Sequence, residues 1–333
     1  MILTIICPTF NEEKYIEYTL ESFLRQQYHS FELEILICDG MSTDDTRNIV
    51  TTFAAKHPNV KLVDNPKRKT PFAFNIGLKE AKGEYVAILG AHSEYDKDYL
   101  QVCFDELLRT GAIGVSGRVI TKSAFHGFQA KMCEWVMLSS FGVSGNSFRV
   151  MKEGFVHSVN FPVFKKQALI DAGGYDETME RNQDNDMNQR LLDAGHKLYC
   201  TWKTKCFYRP PSNIKKLLQY AYRGGFWNAK SFIVHRRSMR WHHFIPFVFV
   251  AALLSLPVLG LAEYLLFHSF YCWMGFSVII ILHLCAGLLA TAQSMKYEND
   301  PQKILMPFVF FAFHFKYGWG TFKGFLQAGK QNK

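Results

Sequence analysis

Residues 3–27 read LTIICPTFNEEKYIEYTLESFLRQQ, and their pattern decides the fold. The first eight form an apolar run that meets Pro8, which suits a strand buried on both faces. From Asn11 the pattern changes. Ile16, Leu20, Phe23 and Leu24 recur at helical spacing, so a helix is predicted over 11–27. The same succession then repeats. LEILICDG (33–40) predicts a second buried strand ending at Asp39-Gly40. STDDTRNIVTTFAAKH (42–57) predicts a helix with Ser42 as candidate N-cap. VKLVDNP (60–66), FAFNIGLKEA (72–81) and EYVAILGAH (84–92) predict strand, helix and strand. Strict alternation of this kind implies a mostly parallel α/β sheet covered by helices, a Rossmann-like arrangement.

Ligands of such sheets bind at the carboxyl ends of the strands. The polar residues collect there: Thr9, Asn11 and Glu12, then Asp39, then Asp64 and Asn65, then His92 and Glu94. No GxGxxG follows the first strand and no GxxxxGK[ST] occurs, which disfavours a dinucleotide fold and excludes a P-loop. Asp39 is suited to accept from a base N–H and Glu12 from a ribose hydroxyl. Asp39-Gly40 also reads as a plain turn, and Asn11 as a helix cap.

The chain has 333 residues, a 48% hydrophobic fraction and a net charge of +9. The charge fits an anionic lipid surface and a diphosphate better than nucleic acid, since no basic helix with base-reading side chains is present. The eight cysteines form no CxxC pair and fall in apolar runs, as in reduced intracellular proteins. The N-terminal stretch lacks the basic region of a signal peptide. Between Arg240 and Lys296 the only formal charge is Glu263. Two apolar runs there, 244–262 and 270–292, are each long enough to cross a bilayer as a helix. Lys230, Arg236, Arg237 and Arg240 precede them and Lys296 and Lys303 follow, so both ends are expected in the cytoplasm. A further apolar stretch, about 304–322, reads as an interfacial or re-entrant helix. The expected organisation is a cytoplasmic domain over 1–235 and a membrane region over 236–333.

Four segments carry a family likeness: CPTFNEEKYIEYTLESFLRQQ, ILICDGMSTDDT, NPKRKTPFAFNIGLKEAKGEYV and GGYDETMERNQDNDMNQRLLDAGHKLY. Together and in this order they resemble the family 2 glycosyltransferases of GT-A fold, in particular membrane-bound exopolysaccharide enzymes of the succinoglycan type. The resemblance implies a nucleotide-sugar donor, UDP-linked, and a polyprenyl-linked or saccharide acceptor at the membrane lipid. By position, Pro8, Thr9, Asn11 and Glu12 match the first nucleotide-contacting loop, Asp39 the acid that holds the base, and Ser42 the same loop. Of Lys67, Arg68 and Lys69, Lys69 is assigned to the donor and the others to a solvated loop. The family's DxD motif, which holds a divalent cation on the diphosphate, is replaced here by Gly90-Ala91-His92. His92 keeps one place, and imidazole suits Mn²⁺ better than Mg²⁺.

The resemblance places the catalytic base in the pair after the GGYDE turn, Gln183-Asp184. An acceptor hydroxyl titrates far above neutrality, so a carboxylate must take its proton during attack. Asp184 is assigned that role, and Gln183 the orientation of a hydroxyl. Asp186, two residues on, is turned away on a helix; it is suited to face a metal or an Arg, and is read as structural, favouring the helix N-terminus. Gln219, Arg223 and Trp227 partly match the QxxRW-like motif that flanks acceptor and diphosphate. One base and one attack imply inversion. Two other readings share these residues: a polyprenyl-phosphate sugar synthase, and an inactive GT-A membrane scaffold.

Overall fold

The computed structural model describes every residue except 92, 124, 126, 144–151, 180, 235–238, 240 and 332–333. The first half alternates as expected: β1 (Ile2–Thr9), α1 (Ile16–Leu24), β2 (Glu32–Asp39), α2 (Thr46–Lys56), β3 (Val60–Asp64), α3 (Thr70–Glu80) and β4 (Tyr85–Ile88). There follow β5 (Ser93–Tyr95), α4 (Tyr99–Thr110), β6 (Gly114–Thr121), α5 (Phe128–Leu138), β7 (Gly154–Val156), β8 (Val163–Lys165), α6 (Lys166–Asp171), α7 (Gln183–Asp193) and β9 (Leu198–Tyr208). The chain ends in helices α8 (Ile214–Val234), α9 (Ile245–Phe267), α10 (Tyr271–Met295) and α11 (Met306–Gln331).

The strands form one sheet in the order β3-β2-β1-β4-β8-β6-β9-β5, with β7 on β9. β1 to β4 run parallel. β8 then pairs antiparallel with β4, and β6 antiparallel with β8. The sheet is therefore mixed, with its parallel half where the apolar runs predicted it. Leu3, Ile5, Ile6 and Cys7 of β1 are fully buried, as a strand covered on both faces requires. α3 lies close on this strand because Gly77 faces Ile6: a Cβ there would stand 2.3 Å from the isoleucine Cγ2.

Two helices begin later than the sequence pattern suggests. α1 starts at Ile16 rather than near Asn11, and α2 at Thr46 rather than near Ser42. The intervening residues are engaged in hydrogen bonds between the loops. Ser42 does not cap α2, whose N-cap is Asp45. β4 ends at Ile88, earlier than the predicted strand, and β5 follows at Ser93.

One core binds the sheet to α3 and α7. It includes Ile6, Leu36, Phe74, Leu78, Val86, Phe164, Tyr175, Met187 and Leu191. Met187 and Leu191 are one helical turn apart, and Asp184 stands one turn before Met187 on the same face. The stripe that docks α7 in the core thus fixes the direction of Asp184.

The backbone contacts divide the chain into one unit of 1–120 and 151–209 and another of 121–150 and 210–333. In the second unit α8 lies against α11. Gly225 would place a Cβ 2.0 Å from the Tyr317 carbonyl oxygen, and Gly320 one 2.1 Å from that of Tyr222. Backbones this close leave no room for a side chain, as at small-residue helix crossings. The stretch expected as an interfacial segment is part of this 26-residue helix, α11. α9 and α10 are long and apolar enough to cross a membrane. Their large apolar residues, among them Val258, Leu265, Leu282 and Leu289, are mostly exposed rather than buried as in a core helix.

Candidate active site

The loops after β1 and β2 are joined by their own polar groups. Gly40 N–H donates to the Thr9 carbonyl at 2.7 Å. Asn11 N–H donates to Ser42 Oγ at 2.8 Å, and Asn11 Oδ1 accepts from Thr43 N–H at 2.9 Å. Glu12 N–H donates to Thr46 Oγ1 at 2.8 Å. Asn11 takes a positive φ of 54° to make these contacts, a conformation asparagine tolerates better than most residues. It binds the neighbouring loop instead of capping α1. The structure therefore brings Thr9, Asn11, Glu12 and Ser42 together at the carboxyl ends of the first two strands.

Asp39 is fully buried at the centre of this group. Its carboxylate accepts from Ser42 N–H at 2.9 Å, from Ser42 Oγ and from the Arg47 guanidinium at 2.8 Å. The other arm of Arg47 reaches Asp64, at the end of β3, also at 2.8 Å. Bonds to Asp39 and Asp64 push Arg47 above its ordinary value, so a fixed positive charge neutralises the buried acid. The sequence reading missed Arg47. Its signal was faint: a lone basic residue in the first turn of α2, eight positions after Asp39.

Lys69 precedes α3 as its N-cap, with its carbonyl accepting from Asn65 Nδ2 at 3.0 Å. His92 lies outside the described residues. Gly90 and Ala91 bring no ligating side chain to the DxD position, and among the described residues no group of three His, Cys, Asp or Glu could hold a metal. The described residues there do not supply a metal's ligand set by themselves.

A cavity of about 130 Å³ opens at the ends of β1 and β4. Pro8 and Gly90 line it on the sheet side, and Gln183, Asp184 and Asn188 line it from α7. Asp184 is half-buried, and its Oδ1 accepts from Asn185 N–H at 2.9 Å. Burial and the Asp184 charge push the neighbouring Tyr175 hydroxyl upward. Asp186 is buried on the other side of the helix and pairs with Arg190 at 2.7 Å, so the arginine contact accounts for it. Asn182, at a φ of 64°, turns the chain into α7. The GGYDE turn is held by Asn75 of α3, which the sequence reading also missed. Its Oδ1 accepts from Tyr175 N–H at 2.8 Å, while Nδ2 donates to the Tyr175 carbonyl at 2.8 Å and to Glu177 at 2.9 Å.

Gln219, Arg223 and Trp227 occupy successive turns of one face of α8 in the second unit. Gln219 and Arg223 are exposed and Trp227 half-buried, with the Lys230 ammonium 4.9 Å from the indole centroid.

The glycosyl transferase family 2 profile matches residues 4–168. The chain is 30% identical over 340 residues to the dolichyl N-acetyl-alpha-D-glucosaminyl phosphate 3-beta-D-2,3-diacetamido-2,3-dideoxy-beta-D-glucuronosyltransferase of Methanococcus voltae, covering 99% of each. The chain belongs to glycosyl transferase family 2.

This glycosyltransferase is also 31% identical over 245 residues to the succinoglycan biosynthesis protein ExoA of Rhizobium meliloti, covering 73% of each. Among solved structures, the mannosyltransferase PcManGT of Pyrobaculum calidifontis in complex with GDP-Man and Mn²⁺ superposes with a TM-score of 0.58 at 21% identity, over 95% of this chain and 87% of that one. S. aureus TarS 1–349 in complex with UDP-GlcNAc superposes with a TM-score of 0.50 at 15% identity, over 100% and 93%. At these identities the likeness is one of fold, and that fold is GT-A.

Proposed function

We propose that this family 2 glycosyltransferase moves a sugar from a nucleotide-diphosphate donor to a hydroxyl of a lipid-linked saccharide during cell-surface polysaccharide synthesis. The observation that carries this reading is the cavity that holds Asp184 together with Pro8 and Gly90 at the strand ends. A carboxylate there stands where an anomeric carbon and an incoming alcohol can meet. Asp184 takes the proton of the acceptor hydroxyl as its oxygen bonds to the anomeric carbon. The bond from that carbon to the diphosphate oxygen breaks, and the nucleoside diphosphate leaves. A single displacement of this kind inverts the anomeric centre.

The family pattern assigns Asp39 to the base and Glu12 to the ribose; the Asp39 carboxylate is itself fully buried on Ser42 and Arg47, so it supports this reading by fixing the loop beneath the nucleotide. Pro8, Thr9, Asn11 and Ser42 shape the loop around the nucleotide. By the family pattern Lys69 and His92 are assigned to the diphosphate, and Gln183 to the orientation of a hydroxyl. Gln219, Arg223 and Trp227 are assigned to acceptor and diphosphate by the family pattern. A divalent cation, Mn²⁺ or Mg²⁺, would counter the charge of the leaving diphosphate; Gly90 and Ala91 would offer it no side-chain ligand. The basic flanks of the two apolar helices support a cytoplasmic catalytic unit at the inner or plasma membrane. One relative is named for a dolichyl-phosphate-linked acceptor and another for succinoglycan biosynthesis, which supports the acceptor class.

The test supplies membranes containing the full chain with radiolabelled UDP-, GDP- and CMP-sugars and follows label into the lipid fraction. Label from one nucleotide sugar, lengthening a lipid-linked saccharide, is the expected result. Label on polyprenyl phosphate alone would favour a sugar-phosphate synthase. No label and no nucleotide-induced thermal shift, with or without Mn²⁺, would favour a scaffold.

A further inference from the structure

Phe161 stands where a side chain at the DxD position would reach. A Cβ added to Gly90 would lie 3.1 Å from Phe161 Cε1, so any larger group at position 90 would press on that ring. The phenylalanine holds this place against its backbone preference. Its φ is 57°, which a bulky residue rarely takes, and Pro162 after it favours an extended conformation instead. Neighbouring groups fix it there. The Phe161 carbonyl accepts from the Tyr99 hydroxyl at 2.8 Å, and the Pro162 carbonyl accepts from the Ile88 N–H at 3.0 Å. The ring meets that of Tyr95 near a right angle, with centroids 5.8 Å apart. The Tyr95 hydroxyl in turn accepts from the Gly90 N–H at 2.8 Å. Strained backbone persists where the surroundings determine it, and it gathers at ligand sites.

The surroundings of the ring indicate what it would touch. Phe161, Gly90 and Asp184 line the same cavity, and Phe161 is only half-buried. In the transferase reading the diphosphate lies at the DxD position and the attacking hydroxyl at Asp184. The group bonded between those two is the transferred sugar. A phenyl ring carries no oxygen or nitrogen to hold a divalent cation, and it has no donor for a phosphate. It does offer a flat apolar face, and a pyranose offers a face of C–H groups to set against it. We propose that Phe161 is a specificity-determining residue, a platform on which a C–H face of the donor sugar packs in the space that a DxD carboxylate would fill. The proposal rests on the transferase reading above and adds a sugar contact to it.

The test measures Kd of the full-length protein for UDP-glucose, UDP-N-acetylglucosamine and GDP-mannose, each divided by Kd for its own nucleoside diphosphate. Phe161→Asn removes the ring and suits a positive φ. Phe161→Leu keeps apolar bulk without a planar face, and Phe161→Tyr keeps the ring. For the sugar nucleotide that the wild type binds best, the ratio should rise about fivefold in Phe161→Asn and Phe161→Leu, as the loss of one aromatic contact requires. UDP and GDP should bind these variants within about twofold of the wild type, and Phe161→Tyr should keep the wild-type ratio within the same margin. An unchanged ratio in folded Phe161→Asn or Phe161→Leu overturns the proposal. So does equal weakening of sugar nucleotide and nucleoside diphosphate, or a fivefold rise in Phe161→Tyr. A wild-type protein that binds no nucleotide and no sugar nucleotide would instead overturn the transferase reading itself.

Discussion

Asn75 and Tyr175 lie 100 residues apart in sequence, yet the Asn75 side chain holds both main-chain polar groups of Tyr175 at 2.8 Å. One amide thus fastens the turn before α7 to the helix after β3. Asn75→Ala would leave the Tyr175 N–H and carbonyl unpaired in a partly buried site, at a cost of about 2 kcal/mol. Its thermal midpoint should fall by several degrees, and kcat should fall more than donor affinity. An unchanged kcat would show that the turn does not position α7.

Asp184→Asn keeps the shape of the side chain and removes the proposed proton acceptor. Turnover should drop by about 10²–10⁴, the usual contribution of a general base, while donor affinity stays within about twofold. Single-turnover transfer measured beside donor titration separates these effects. Transfer at the wild-type rate would remove Asp184 from the chemistry.

Arg47→Ala strands the fully buried carboxylate of Asp39. Removing one partner of a buried pair costs about 3 kcal/mol or more. Melting and UDP titration should both show the loss. Arg47→Lys should restore only part of it, because a lysine cannot span Asp39 and Asp64 together as the guanidinium does.

Glu34 sets a pH limit far from the site. Burial by itself would raise its pKa, but the Lys82 N–H, the Thr4 hydroxyl and Lys61 outweigh that and hold it below its ordinary 4.5. A depressed carboxylate contributes stability above its unfolded value and loses it as the pH falls through the folded one. Melting midpoints should therefore decline below about pH 4.5, and the decline should be shallower in Glu34→Gln. Equal slopes would mean that other groups govern acid unfolding.

The parallel half of the sheet was legible because strands buried on both faces leave unbroken apolar runs. β5, β7 and β8 were not. Each is three residues long, too short for any period, and each pairs with a strand distant in sequence, as Ser93–Tyr95 does with Cys206–Tyr208. The site divides in the same way. Thr9, Asn11, Asp39 and Ser42 stand at strand ends, where the fold class directs attention. Asn75 holds a partner 100 residues away, which one-dimensional spacing does not reveal. The late starts of α1 and α2 have a similar cause: bonds between the two loops claimed residues that local pattern assigns to helices.

The stripe on α7 that carries Asp184, Met187 and Leu191 makes the proposed base an extension of the hydrophobic interior. A methyl group gained or lost beneath that helix would tilt its first turn and shift the oxygen relative to the sugar. Adaptation of this enzyme to cold or heat should then be written in interior side chains, with rates responding before the fold gives way.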